Sequence, residues 1–298
     1  MIKKLLVVIL LLTGLTPVHA DTTPTIALID SGVNTALFPN NVVYEVCILE
    51  YVACPNGKPF QEGKGSAVPT NMAVAPNNTI QHGNQMMSII TKVNPNAKVI
   101  VIRVVGQVGS TPMLFSLASV QSSLEWVSAN RAKFNISLVS ISEGKVFPDC
   151  GVPTNMGKTI ADLKAQNVMV VGATGNTKNR TAMDSPSCLS DVVSVGATDN
   201  PNNLSGYAWD STATPTIATY SNGNAKTTLY ANGRWYATNL DGSPRFIVGT
   251  SNATASVTGW LSLNLKGGWQ DTYNNLIANA NTSAKNDWLS GRYLLIQS

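Results

Sequence analysis

The sequence predicts an α/β protein in which a parallel β-sheet is sandwiched by helices. Three observations carry this. Five short runs, residues 25–29, 98–104, 136–141, 168–171 and 192–195, are rich in β-branched residues and bounded by polar residues or glycine. Runs that are apolar throughout, rather than alternating, are the pattern of strands covered on both faces. Between them the period changes: residues 113–129 repeat Leu114, Leu117, Val120, Leu124 and Val127, the spacing of one helical face. Finally, no internal repeat, linker or low-complexity tract divides the 298 residues, so strand and helix alternate within one domain, residues 21–298.

The remaining elements follow in order. A shorter helix is expected over 159–166, and two more after Ser251 and Asp271. An apolar run from Met86 to Ile90 places His82 at the start of a buried helix. The stretches 34–80 and 198–245 are turn-rich and read as decorated loops around the sheet. Apolar residues make up 44% of the chain, enough for a sizeable core, while charged residues are only 12% against a typical value of about 25%. The net charge is +4, and two of the lysines, Lys3 and Lys4, lie in the leader described next. This balance excludes an acidic tail and a polybasic nucleic-acid surface.

Residues 1–20 read as a secretory signal peptide: a basic start, an unbroken apolar run from Leu5 to Leu12, and the small-x-small site Val18-His19-Ala20. The run is shorter than the roughly 20 residues a membrane span needs. The mature chain is expected to begin near Asp21 and to be secreted, extracellular or periplasmic, with no membrane association after cleavage. In an oxidising compartment its cysteines can pair. The four, Cys47, Cys54, Cys150 and Cys188, allow three pairings. Spacing favours a local Cys47–Cys54 loop and a longer Cys150–Cys188 clamp, with free buried thiols as the alternative. No C-x-x-C pair is present, which argues against zinc.

Histidine is informative by its scarcity. His19 leaves with the leader, so His82 is the only histidine of the mature chain. Two other local patterns join it. Asp30 stands at the tip of the first predicted strand, where α/β sites collect. Ser251, in Gly249-Thr250-Ser251, opens a small-residue helix whose free N–H groups favour an anion. Each pattern alone is weak; the order Asp, His, Ser with all three contexts is far more specific.

At these residues the chain resembles the subtilisin-like serine proteases, over the whole stretch from about Thr25 to the C-terminus. Asp30-Ser31-Gly32, His82-Gly83 and Gly249-Thr250-Ser251 resemble that family's aspartate, histidine and serine motifs. Ser140-Ile141-Ser142-Glu143-Gly144 looks like its substrate-binding strand, residues 170–176 like the strand and loop that carry the oxyanion asparagine, here Asn176, and residues 193–197 like the strand that follows. The resemblance implies a three-layer fold and a serine endopeptidase acting on polypeptides. It implies Ser251 as nucleophile, His82 as base and then acid, Asp30 as its orienting partner, and Asn176 with the Ser251 N–H as oxyanion donors. Asp184 falls where the family places the base of the pocket for the residue before the cut. The branch that cuts after basic residues carries an aspartate there. Lys or Arg before the scissile bond is therefore expected, with walls from Ser142-Glu143-Gly144 and Ala173-Thr174-Gly175. The alternative is that Asp184 caps the turn at Ser185-Pro186 and faces solvent, or is neutralised by Arg180.

The chain departs from the family at Asn252, where methionine is usual, at Asn84, where threonine is common, and in lacking a proline soon after the serine. Many exported relatives carry a folding prodomain; only residues 21–24 stand in its place, so either the domain folds without one or a separate inhibitor or folding partner assists. The chemistry requires no cofactor. Relatives often hold structural calcium, but no ligands for it are readable here. A monomer that binds no nucleic acid is expected. Two other readings fit the sequence less well. A secreted binding protein of the same fold that has lost turnover would have no reason to keep Asp30, His82, Ser251 and Asn176. An α/β-hydrolase esterase needs a Gly-x-Ser-x-Gly elbow, which the sequence lacks.

Overall fold

The computed structural model describes residues 23–73, 79–109, 111–112, 116–153, 155–199 and 215–296; the expected signal peptide lies outside them. In chain order the strands are β1 Thr25–Asp30, β2 Val42–Ile48, β3 Phe60–Glu62, β4 Lys98–Arg103, β5 Gln107–Val108, β6 Thr111–Pro112, β7 Ile136–Ile141, β8 Met169–Ala173, β9 Val192–Asp199, β10 Thr216–Ile217, β11 Leu229–Asn232, β12 Arg234–Thr238, β13 Pro244–Val248, β14 Thr282–Lys285 and β15 Ser290–Tyr293. The helices are α1 His82–Val93, α2 Leu117–Phe134, α3 Met156–Ala165, α4 Thr250–Asn264 and α5 Trp269–Asn279. An eleven-stranded sheet runs β10-β14-β15-β11-β9-β8-β7-β1-β4-β2-β3. Its centre, from β11 to β2, is parallel throughout.

The central strands are buried on both faces, as their unbroken apolar runs require. Alternate residues serve different layers. Ile26 and Leu28 join Val99, Val101 and Val171 on one face, where they pack with Met86 and Ile90 of α1 and Val257 and Leu261 of α4. Ala27 and Ile29 point the other way, joining Ile100, Ile102 and Val139 against Val120 and Leu124 of α2 and Ile160 and Leu163 of α3. Each fully buried side chain of this size contributes about 1.5–3 kcal/mol, so these two layers dominate the fold's stability.

Two expectations are corrected. The stretch 34–80 is not only loop: β2 pairs in parallel with β4 through Val46↔Ile102 and Cys47↔Arg103. The stretch 198–245 supplies β11, paired in parallel with β9, and most of the β12–β13 hairpin. Turn-forming flanks masked these short strands. Helix α2 starts later than its apolar period suggested, because the Ser116 hydroxyl accepts the Ala118 N–H at 2.9 Å and caps it there; such a cap is worth about 1 kcal/mol. Residues 113–115 of the expected helix lie outside the described residues. The helix runs on to Asn135, whose left-handed φ of 50° ends it.

Both favoured cysteine pairs are at bonding distance. Cys47 and Cys54 have Cα atoms 6.0 Å apart, and Cys150 and Cys188 5.7 Å. The second pair is separated by 38 residues, for which the chain-entropy model gives about 4 kcal/mol. Intact-mass mapping after alkylation without reductant is expected to find no free thiol. Cys150→Ser is expected to lower the unfolding free energy by a few kcal/mol, read in a urea titration; unchanged stability would leave Cys150–Cys188 without its clamping role.

Candidate active site

Parallel register brings the candidate residues to one edge of the sheet. Ile29 of β1 lies opposite Ile141 of β7, and Ile141 opposite Gly172 of β8. Asp30, Ser142 and Ala173 therefore emerge side by side at the C-terminal ends of three adjacent strands. Helices α1 and α4, packed on one face, present their N-termini to the same edge.

Asp30 is fully buried. Its Oδ1 accepts the Ser31 N–H at 2.7 Å and lies 2.8 Å from Nδ1 of His82, with Oδ2 at 3.1 Å. The pair is fixed by a close backbone approach. A Cβ at position 83 would lie 2.4 Å from the Gly32 carbonyl oxygen, and one at position 32 would lie 2.4 Å from that of Ala67. Gly32 also has φ of +100°, a conformation that favours glycine. The Ser31 hydroxyl completes the joint, accepting the Gly83 N–H and donating to the Ile80 carbonyl. The glycines of Asp30-Ser31-Gly32 and His82-Gly83 thus have a steric cause: they let the first turn of α1 touch the end of β1.

Ser251 lies in the first turn of α4 and is nearly buried. It lines a cleft of about 240 Å³ together with His82 and Asn176. The Asn176 amide is oriented by Thr250: its Oδ1 accepts from the Thr250 backbone N–H at 2.9 Å and from the Thr250 hydroxyl at 3.1 Å. A backbone N–H can only donate, so the oxygen end is committed to Thr250 and the NH₂ end is left for the cleft. The same hydroxyl oxygen accepts the Gly175 N–H at 3.1 Å. Sequence reasoning gave Thr250 no such part.

Glu143, expected only as part of a pocket wall, also approaches His82. Its Oε1 is 3.5 Å from Nδ1 of His82. Burial pushes the Glu143 carboxyl up to about 7, helped by the neighbouring Asp30 charge and opposed by His82. Burial also disfavours the His82 imidazolium, but the charge and hydrogen bond of Asp30, with Glu143 adding, outweigh it and lift His82 to about 9. Among the described residues, Asp30, His82 and Glu143 are the only group of three with ligand atoms mutually within 4.8 Å. Two carboxylates and an imidazole fall short of the six to eight oxygens that calcium takes.

The other candidates gather around Asp184, outside the lining of the Ser251 cleft. Asp184 lies between the two expected walls: a Cβ at Gly144 would meet its Cβ at 2.9 Å, and one at Gly175 its Oδ1 at 2.4 Å. Its backbone N–H donates to the Thr174 carbonyl at 2.9 Å, and Ser185 pairs with Lys145. Burial raises the Asp184 carboxyl to about 6, against a hydrogen bond from Asn222 Nδ2 at 3.1 Å. The Asp184 carbonyl accepts the Cys188 N–H across the Ser185-Pro186 turn at 3.2 Å while its side chain accepts from Asn222, and Arg180 stacks on Trp288 with its guanidinium 4.6 Å from the ring centroid. Asn222, which the sequence did not single out, ties this side together. It is fully buried, its Oδ1 accepts from Thr177 and Asn179, and its carbonyl accepts from the Thr174 hydroxyl.

The departures at positions 84 and 252 have structural uses. Asn84 donates to the Thr238 and Asn239 carbonyls and accepts the Asn34 N–H. Asn252 donates to the Gly233 carbonyl at 2.9 Å. Both side chains anchor the β12–β13 hairpin beside the cleft.

Ser251 in the first turn of α4, His82 paired with the buried carboxylate of Asp30, and the oriented amide of Asn176 thus share one cleft. Residues 21–293 match the sequence model of the subtilase family, and the chain belongs to that family. It is similar to the minor extracellular protease Epr of Bacillus subtilis (strain 168), 29% identical over 175 residues, which are 58% of this chain and 23% of Epr. Among solved structures it is similar in fold to the S41 psychrophilic protease (TM-score 0.70, 19% identity) and to sphericase (TM-score 0.69, 18% identity), each over 92% of both chains. Subtilases are a family of serine peptidases, and the match to Epr spans about a quarter of Epr's own length. Among the described residues no helix is long and apolar enough to cross a membrane.

Proposed function

We propose that the chain is a secreted serine endopeptidase that cleaves through an acyl-enzyme intermediate, with a preference for Lys or Arg before the scissile bond. The observation that carries this reading is the Asp30–His82 pair opening onto the same cleft as Ser251 and the oriented amide of Asn176. A serine hydroxyl attacks only if a base takes its proton. His82 takes it through Nε2, because Nδ1 is held by Asp30, and returns it to the leaving amine. The negative charge on the tetrahedral oxygen is met by Asn176 Nδ2 and the Ser251 N–H, both fixed before reaction. No cofactor takes part. The substrate's acyl half adds beside Ser142-Glu143-Gly144, where β7 ends, and not beside the expected Ser140-Ile141, whose backbone is already paired with β1 on one side and β8 on the other; it sends its side chain towards Asp184. Export is supported by the leader, by two disulfides and by the extracellular relative. A serine-directed phosphonate tests the reading: stoichiometric labelling of Ser251 is expected, and a protein that binds peptides without being labelled would be a binding relative instead.

Glu143 leads to a pH prediction. The base must be neutral to accept the serine proton, so activity falls as pH drops through the His82 value of about 9. Removing one of the two carboxylates that stabilise the imidazolium lowers that value. Glu143→Gln is expected to move the acid limb of kcat/KM to lower pH by about one unit, the scale of a single partly screened charge. A limb that stays in place or moves up would rule out this influence on His82.

A further inference from the structure

The cleft shared by His82 and Ser251 contains a charge that the proposed chemistry does not use. Arg245, on β13, lines it together with Gln85 and Ile247, and no carboxylate lines it. Among the described residues the Arg245 guanidinium is in none of the ion pairs, which join His82 to Asp30 and Glu143, Lys158 to Asp162, Lys164 to Asp191, and Arg234 to Asp199. A half-buried guanidinium facing a reaction cleft without a counter-ion is positioned to receive one. We propose that Arg245 selects the leaving half of the substrate, favouring Asp or Glu in the first two positions after the scissile bond.

Three arguments support this placement, which rests on the peptidase reading above. The first is direction. Ser142, Gly144 and Asp184, on the acyl side, do not line this cleft, whereas His82, which must protonate the leaving amine, does. The chain beyond that amine therefore enters past Arg245. The second is rigidity. The β12–β13 hairpin is bolted to α1: Asn84 donates to the Thr238 and Asn239 carbonyls, the Thr238 N–H donates to the Ser88 hydroxyl, and Gln85 donates to Asn239 Oδ1. Arg245 is thus held relative to His82. Strand alternation turns Arg245 and Ile247 to the cleft, while Phe246 packs on Tyr236 with ring centroids 5.2 Å apart. The third is chemistry. Arginine pairs with a carboxylate through two parallel hydrogen bonds, stronger where walls exclude part of the solvent. With Asp184 outside this cleft on the acyl side and Arg245 inside it on the leaving side, the two halves of the site carry opposite charges and fit a basic residue followed by an acidic one.

The test uses internally quenched peptides with one fixed acyl half and Glu, Gln or Lys in the two positions after the cut. The readout is the ratio of kcat/KM values within each enzyme, so any loss of folded protein cancels. Wild type is expected to prefer Glu over Lys by about tenfold, the ratio that 1.4 kcal/mol produces. Arg245→Lys is expected to keep the order, Arg245→Gln to flatten it and Arg245→Glu to invert it, with all ratios shrinking at high ionic strength. Cleavage without a Glu-over-Lys ranking in wild type, or an order that survives Arg245→Glu, overturns the assignment of Arg245 alone. Absence of both cleavage and phosphonate labelling overturns the peptidase reading and takes this proposal with it.

Discussion

Ser251→Ala is expected to lower kcat on a peptide substrate by about 10⁶, the scale on which loss of the serine or the histidine alone falls in subtilisin. The loss has a mechanical origin. His82 is held by Asp30 through Nδ1 and Asp30 is buried with no exposed surface, so the imidazole can act only on what stands at its other nitrogen. Without the Ser251 hydroxyl it has no proton to move and no acyl-enzyme forms. His82→Ala should cost about as much, and Ser251→Ala with His82→Ala no more than either, because the residues act as a unit. Asn176→Ala is expected to cost about 10²–10³, since it removes one oxyanion donor and leaves the Ser251 N–H. Turnover measured alongside far-UV circular dichroism checks this series. Near-native activity in folded Ser251→Ala would remove the nucleophile from the proposal, and additive losses in the double variant would break the unit.

The Asp30 and His82 motifs were legible because steric need writes them into the chain. An unbroken apolar strand ends at Asp30, and the glycines at 32 and 83 are required where helix and strand ends touch. Ser251 was legible for a similar reason: small residues fill α4, and a Cβ at Gly259 would lie 3.0 Å from the Ile90 carbonyl oxygen of α1. What the sequence hid depends on register and long-range return of the chain. Glu143 reaches His82 only because β7 lies beside β1 with Ile141 opposite Ile29; nothing local in Ser142-Glu143-Gly144 announces it. Asn222 and Arg245 come from a stretch read as loop, whose short strands are separated by asparagine and glycine and whose hairpin is placed by side chains of α1. Local pattern reveals a residue's neighbours along the chain. The partners that set its charge and position were brought in from far along the chain: 38 residues for Asp184 and Asn222, 52 for Asp30 and His82 and 154 for Asn84 and Thr238.

Asp184→Asn is expected to remove the preference for Lys or Arg before the cut. In wild type kcat/KM should rank Arg above Phe and Leu, and the variant should lose about 10²–10³ on Arg while changing little on Phe, the range seen when one partner of a desolvated charge pair is removed. The substitution is close to isosteric, and an asparagine oxygen can still accept from Asn222 Nδ2, so the gap between Gly144 and Gly175 keeps its shape. The pH dependence gives an independent check. Burial holds the free Asp184 carboxyl at about 6. Above that value it is an anion that pairs with an incoming cation; as pH falls through it the group becomes neutral and the advantage of Arg fades. His82 titrates too, but it serves every substrate, so its effect cancels in the ratio of kcat/KM for Arg to kcat/KM for Phe. That ratio should therefore fall by about tenfold for each unit below 6 in wild type and stay flat in Asp184→Asn. A wild-type ratio independent of pH, or one that survives the substitution, would mean that the carboxylate between Gly144 and Gly175 does not meet the substrate's side chain.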